Sequence, residues 1–270
     1  MTQRSLRTNL QRIGGALYPS GINAYYRCPR KFHYRFFAKP RLPYQFKPYL
    51  ALGGAVHKVI AHQLSARVNG TDPGDVRSLA EDYLSREAKM AEDPKAWVRS
   101  QLDDVERHVQ AGLAYVPEQC EILAVERVFT RAITTARLGE SVQLKSRVDL
   151  VLRHTDGVVE HIDFKTGKKT GDLFQNVLTR IVVASELEAR GESLRTTNFM
   201  TSTAAAQHMP TDMEANRPVW TTIRETIEQI ARDTEWESRP EPAVCRWCEY
   251  NPICEHAELG ETDDRVDFDA

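Results

Sequence analysis

The sequence predicts an α/β fold: a mixed central sheet flanked by helices, with a helical insertion and a C-terminal cysteine cluster. Three observations lead there. Between residues 122 and 165 the apolar residues alternate with period two, as in half-buried strands. Before and after that stretch they recur every three or four residues, as on one face of a helix. Three of the five cysteines, Cys245, Cys248 and Cys254, fall together near the end. A chain of 270 residues, 41% hydrophobic and 27% charged, has the size and composition of an ordinary globular protein with a sizeable core. We read it as a single domain over residues 1–270. Its parts are a basic N-terminal segment at 18–71, a helical insertion at 72–118, an α/β core at 119–205, a C-terminal helix with the cysteine cluster at 217–256, and an acidic tail at 259–270.

The elements follow in order. Residues 1–17 are acid-free, carry Arg4, Arg7 and Arg12, and place Leu6, Leu10, Ile13 and Leu17 on one stripe, which reads as a basic arm or helix. Tyr18-Pro19-Ser20 leads into a helix with Ser20 as its N-cap. Gly53-Gly54 lies near the start of a helix whose apolar positions are Val56, Val59, Ile60 and Leu64. Residues 72–116 are helical and highly charged, with Asp72-Pro73-Gly74 as the breaker before them and Pro117 after. Residues 122–134 form a strand. On the next, 142–152, Val142, Leu144, Val148, Leu150 and Leu152 share one face, and Gln143, Lys145, Arg147 and Asp149 share the other. His154-Thr155-Asp156-Gly157 turns the chain into a strand at 158–165. A helix over about 173–190, a strand near 194–200 and a last amphipathic helix carrying Val219, Ile223, Ile227 and Ile230 complete the core. The tail at 261–270 reads as disordered.

Charge and punctuation narrow the function. No apolar run is long enough to cross a bilayer, so a membrane span is excluded, and the absence of a signal peptide points to the cytoplasm. The net charge of −2 conceals an asymmetry: residues 1–71 hold twelve Lys or Arg and no Asp or Glu, leaving 24 basic against 38 acidic residues in the remainder. Such a block suits a polyanionic partner, because neutralising phosphates releases counterions; the plain alternative is a basic surface facing the acidic half of the same chain. The stretch Thr166-Gly167-Lys168-Lys169-Thr170 resembles a phosphate-binding loop only superficially, since it lacks the leading glycine, so the chain is not itself a helicase motor.

Asp163-Phe164-Lys165 puts an acid and a lysine two apart on a strand, so both leave the same face. Asp149, on the polar face of the preceding strand, can converge on Asp163 across the short turn. Two close carboxylates repel unless a cation neutralises them, and the usual cation for an oxygen-rich site is Mg²⁺ or Mn²⁺. A metal there activates water and offsets charge on a phosphodiester, while Lys165 orients the nucleophile or holds phosphate. For an isolated acid-x-lysine triplet a surface ion pair is the commoner explanation. Here Ile162 and Phe164 embed the triplet in an apolar strand.

The run Arg147-Val148-Asp149, followed by His161-Ile162-Asp163-Phe164-Lys165-Thr166-Gly167, resembles the catalytic core of the RecB-like branch of the PD-(D/E)XK nucleases, whose core is restriction-endonuclease-like. Gly53-Gly54-Ala55-Val56-His57 resembles that branch's helix signature. The resemblance implies a deoxyribonuclease in which Asp149, Asp163 and His57 ligate the metal, the carbonyl of Phe164 adds a ligand, and Lys165 is the catalytic lysine. It also implies a catalytic Glu from the preceding strand, for which Glu126 is the natural choice with Glu121 nearby. Gln175 matches the first residue of the branch's Q-x-x-x-Y motif as a DNA contact, but Thr179 stands where its tyrosine is expected.

Cys245-x2-Cys248-x5-Cys254 supplies three thiolates, and Cys28 in Arg27-Cys28-Pro29-Arg30 can supply a fourth, leaving Cys120 as a buried structural thiol. Four thiolates suit zinc or an iron–sulfur cluster. The arrangement, with its flanks Tyr25-Tyr26-Arg27-Cys28-Pro29-Arg30-Lys31-Phe32 and Trp247, Tyr250, Asn251 and Pro252, is similar to the iron–sulfur members of the same superfamily, including AddB-type nucleases and CRISPR-associated RecB-like exonucleases. That resemblance implies a structural 4Fe–4S cluster, an exonuclease on single-stranded DNA ends, and protein partners in recombination, repair or CRISPR adaptation. Around Cys28 basic and aromatic residues interleave, and we expect the aromatics to pack while Arg27, Arg30, Lys31 and Arg35 meet phosphate. Two rival readings remain open: a non-catalytic DNA-binding scaffold that keeps the fold, and a zinc-stabilised protein whose acidic triplet is incidental.

Overall fold

The structure, a computed structural model, describes residues 8–42, 46–134, 139, 141–167, 173–187, 193–210 and 213–258. The arm at 1–7, Lys168-Lys169-Thr170 and the tail at 259–270 lie outside the described residues. In chain order the elements are α1 (Asn9–Arg12), β1 (Ala16–Leu17), α2 (Pro19–Arg27), α3 (Pro29–His33), α4 (Pro48–Asn69), α5 (Val76–Glu87), α6 (Pro94–Tyr115), β2 (Cys120–Thr134), β3 (Ser141–His154), β4 (Val159–Lys165), α7 (Leu173–Glu186), β5 (Leu194–Met200), β6 (Ala205–His208), α8 (Met213–Arg232) and α9 (Pro242–Cys245). The chain forms two compact units, one comprising Met1–Pro43, Thr134–Val142 and Thr222–Ala270, the other Tyr44–Ile133 and Gln143–Thr221. The basic segment at 18–71 is therefore divided: Cys28 belongs to the first unit and His57 to the second. Among the described residues no helix is long and apolar enough to cross a membrane.

The second unit is the α/β core, a mixed sheet flanked by helices. Antiparallel β3 and β4 are joined by the turn at His154–Gly157, where the Gly157 amide donates to the His154 carbonyl. β4 pairs parallel with β5 after the crossover through α7, β5 pairs antiparallel with β6, and β2 pairs with β3. Leu150, Leu152, Ile162, Phe164 and Phe199 form the sheet side of one apolar core, closed by Val56, Val59, Ile60 and Leu64 of α4, Leu84 of α5, and Leu102, Val105 and Val109 of α6. Each covering helix has a sequence-encoded start. Pro48 stands at the first turn of α4, and the Asp75 and Asp93 carboxylates accept the amides of Ser78 and Ala96 at 2.8 and 3.0 Å to cap α5 and α6. Gly112 lets α6 approach closely, since a Cβ there would sit 2.6 Å from Ile60 Cδ1 and 3.5 Å from Phe164 Cε1.

The first unit gathers aromatic rings. Phe32, fully buried, stacks on Trp236 at 5.9 Å and meets Tyr25 edge-on at 5.6 Å. The Tyr25 hydroxyl donates to Asp233 at 2.7 Å, and the same aspartate caps the turn that holds Trp236. Two sequence expectations change here. The N-cap of α2 is Tyr18 rather than Ser20, because Pro19, with φ already helical and no N–H to satisfy, takes the first helical position. Cys120 is half-buried rather than buried, its thiol donating to the Pro117 carbonyl at the start of β2.

Candidate functional site

The ladder between β3 and β4 ends in the register Leu150↔Ile162. One step on, Asp149 faces Asp163, and opposite residues of an antiparallel pair share a face. From α4, His57 places its Nδ1 3.2 Å from Asp149 Oδ1, while the Phe164 amide donates to Asp149 Oδ2 at 2.8 Å. From β2 comes Glu126, in the left-handed region at φ 47°. That conformation is costly for a residue with a side chain and interrupts the strand's alternation. Ligand atoms of His57, Glu126 and Asp149 lie within 4.8 Å of one another. Glu126 also meets Arg147 at 3.3 Å and Lys58 at 3.8 Å, whereas Glu121 is drawn away to Arg153 at 2.6 Å.

Asp163 stands beside that trio. Its Oδ2 accepts from Lys165 Nζ at 2.7 Å and from Gln175 Nε2, at the start of α7, at 3.3 Å. Burial, and then the facing Asp149, push its pKa up to about 6 despite the lysine. Burial also works against ionisation of Asp149, but the charge and hydrogen bond of His57 and the Phe164 amide outweigh it and hold its pKa below the ordinary range. The His57 pKa rises in turn: burial opposes its charge, and the attraction of Asp149 prevails. Behind the pair, buried His161 is pushed down to about 4 by desolvation, so it is neutral at pH 7. A cluster of anionic oxygens with one imidazole suits a hard divalent cation such as Mg²⁺ or Mn²⁺, so these residues fit that group. Gly53 of α4 touches the strand end as well, since a Cβ there would lie 3.1 Å from Thr166 Oγ1.

The position in the Q-x-x-x-Y pattern that departs from the family is accounted for by packing. Thr179 is buried, its hydroxyl 2.6 Å from Ser146 Oγ on β3. Sequence reasoning missed this partnership, along with a network on β4. There the buried Glu160 accepts from Tyr115 at 2.9 Å, from His154 Nε2 at 2.6 Å and from Thr197. An acid beside a histidine within an otherwise apolar strand was the available signal.

In the first unit Cys28, Cys245, Cys248 and Cys254 line one small pocket together with Arg30, Lys31, Arg239 and His256. Cys28 sits in extended backbone at the break between α2 and α3, and Cys245 ends α9. Burial pushes the Cys248 thiol pKa up, so a thiolate there needs a cation to offset it. Arg30 Nε is buried without a hydrogen-bond partner. A net-anionic cluster held by four thiolates fits both the donor set and that guanidinium. The expected phosphate-binding side chains are partly committed elsewhere. Lys31 pairs with Glu249 at 2.8 Å, Arg30 turns to the cysteine cavity, Arg35 lies over the Phe36 ring at 5.5 Å, and Arg27 donates to Asn23 at 3.3 Å.

A mixed sheet flanked by helices, with an acid–lysine face on one strand, is consistent with a restriction-endonuclease-like fold. Residues 16–255 match the PD-(D/E)XK nuclease superfamily, and the chain belongs to it, which suggests nuclease activity. Among solved structures it is similar to one titled "Crystal structure of SSO0001", with 15% identity over 90% of this chain and 86% of that one and a TM-score of 0.43. No curated protein matches it.

Proposed function

We propose that the chain is a Mg²⁺- or Mn²⁺-dependent exonuclease that hydrolyses single-stranded DNA from its ends and carries a 4Fe–4S cluster on Cys28, Cys245, Cys248 and Cys254. The observation that carries the catalytic part is the approach of His57, Glu126 and Asp149 to within 4.8 Å beside the Asp163–Lys165 pair. Asp149, Glu126 and His57 would hold the metal, with Asp163 and the Phe164 carbonyl beside them. A bound divalent ion there supplies charge neutralisation at the phosphate and a more acidic water. Lys165, its ammonium anchored 2.7 Å from Asp163, orients the attacking water and offsets negative charge on the phosphoryl oxygens. Gln175, through its bond to Asp163, keeps that carboxylate turned to the lysine.

The finer parts rest on other supports. Single-stranded substrate is favoured by the acid-free, aromatic-rich segment before Thr71, and the cluster by four cysteines around one pocket where Arg30 Nε is buried without a hydrogen-bond partner. Recombination, repair or CRISPR adaptation in the cytoplasm is the setting these features suit.

End-labelled single- and double-stranded DNA, digested with Mg²⁺, Mn²⁺ or EDTA, tests the reading. Wild type should shorten single strands from one end, and Lys165→Ala should be slower by about a hundredfold or more. Equal cleavage by both proteins would refute catalysis at this site. After anaerobic purification about four irons per chain are expected; stoichiometric zinc without iron would refute the cluster.

A further inference from the structure

We propose that His108, from the helical insertion, is a positioning residue for the catalytic lysine and acts through the hydroxyl of Thr201. The inference rests on Lys165 being the catalytic amine, as argued above. Lys165 is the last residue of β4, paired across the ladder with Met200, and the chain leaves the sheet immediately after it. A terminal strand residue is where a ladder frays, yet an amine that must meet a nucleophile tolerates little displacement.

Thr201 secures that end twice. Its amide donates to the Lys165 carbonyl at 2.9 Å and its hydroxyl donates to the same oxygen at 3.0 Å. A carbonyl only accepts, so the single hydroxyl proton is committed there. His108 Nδ1 lies 2.7 Å from the same Thr201 oxygen, which must therefore accept, and the ring proton is on Nδ1. Burial pushes the His108 pKa down, so the neutral ring supplies this donor. The imidazole thus locks a hydroxyl rotor that would otherwise be free to turn from Lys165. Both His108 and Thr201 are buried, so no bulk water competes for the contact.

α6 also meets β4 through Gly112 against Phe164 and through the Tyr115 hydroxyl on Glu160 at 2.9 Å. His108 is where the insertion reaches the end that bears Lys165. The 72–118 region is thereby tied to the chemistry and is more than a cover for the apolar core.

Steady-state cleavage of labelled single-stranded DNA in Mg²⁺, with melting curves as control, tests this on His108→Ala, His108→Asn, Thr201→Val and the His108→Ala/Thr201→Val double variant. Lys165→Ala is the reference. Expected are a fall in kcat on the order of tenfold for His108→Ala and Thr201→Val with KM little changed. The double variant should be no worse than either single one, and His108→Asn, whose Nδ2 can replace the ring donor, should recover most of the loss. A wild-type kcat in His108→Ala, additive losses in the double variant, or an equally stable His108→Asn as slow as the alanine would overturn the proposal. Should His108→Ala fail to fold, Thr201→Val and His108→Asn carry the same test. An active Lys165→Ala overturns the site assignment itself; an inactive one beside an unimpaired His108→Ala overturns the relay alone.

Discussion

Replacing Asp163 with asparagine should stabilise the metal-free protein at neutral pH while abolishing cleavage. In the fold Asp163 is 7% exposed, and burial with the facing Asp149 raises its pKa to about 6, against about 3.9 in an unfolded chain. The folded state therefore holds this proton more tightly than the unfolded one. Stability from this group is greatest below pH ~4, declines as pH rises from about 4 to about 6, and is lowest and flat above that. Two pKa units correspond to about 3 kcal/mol at pH 8. The attraction of Lys165 is already contained in that shift, so Asp163→Asn should gain up to about 3 kcal/mol, or several degrees in melting temperature. At pH 4.5 the electrostatic contribution should shrink to about a third. Thermal unfolding in EDTA at both pH values measures it directly. An Asp163→Asn protein no more stable than wild type at pH 8, or stabilised equally at pH 4.5, would show that burial and Asp149 do not destabilise this carboxylate. Added Mg²⁺ should then raise the melting temperature of wild type more than that of Asp163→Asn, which keeps Asp149, Glu126 and His57 but loses one neighbouring carboxylate.

Three further perturbations read other parts of the core. Glu160→Gln should cost about 1–3 kcal/mol at pH 7, measured by urea unfolding, because donors from Thr197, His154 and Tyr115 lose their anionic acceptor. Burial opposes the charge of Glu160, but those bonds hold its pKa below the ordinary value. Its contribution is thus complete above pH ~4.5 and lost as pH falls through the depressed pKa, and the cost of the substitution should vanish there. Thr179→Val should cost about 1–3 kcal/mol by stranding Ser146, while the Thr179→Val/Ser146→Ala pair should lie closer to wild type and bind DNA as tightly; a cost that simply adds would sink the pairing. Glu126→Gly should relieve a left-handed backbone residue, leaving the melting temperature unchanged or raised in EDTA, yet weaken Mg²⁺ binding tenfold or more by calorimetry.

The strand pattern made the acid–lysine face legible. Val142 to Leu152 and Ile162 to Phe164 alternate strictly enough that Asp149, Asp163 and Lys165 had to project from the polar side, and the short turn at His154–Gly157 set them opposite one another. Helix ends were legible where a breaker marked them, as at Pro117 after α6, and misjudged at Ser20, where two start signals compete and proline prevails. Of the two glutamates on β2 the resemblance made Glu126 the natural choice, and Glu126 lies beside His57 and Asp149 while Glu121 pairs with Arg153; the positive φ of Glu126 that interrupts the strand's alternation was not legible.

The sequence by itself determined the main helices and strands, the polar face of β3 and β4, and the grouping of three cysteines, because period and spacing are local properties of the chain; the short β1 and β6 and the break between α5 and α6 were not among them. Tertiary structure alone decided that His57 turns to Asp149 and that Thr179 is satisfied by Ser146. It also decided that Arg30 faces the cysteine cavity instead of open solvent, and that His108 reaches the lysine strand through Thr201. Each of these is a contact between residues distant along the chain, formed because a buried polar group must find a partner wherever the packed helices and strands bring one within hydrogen-bond distance.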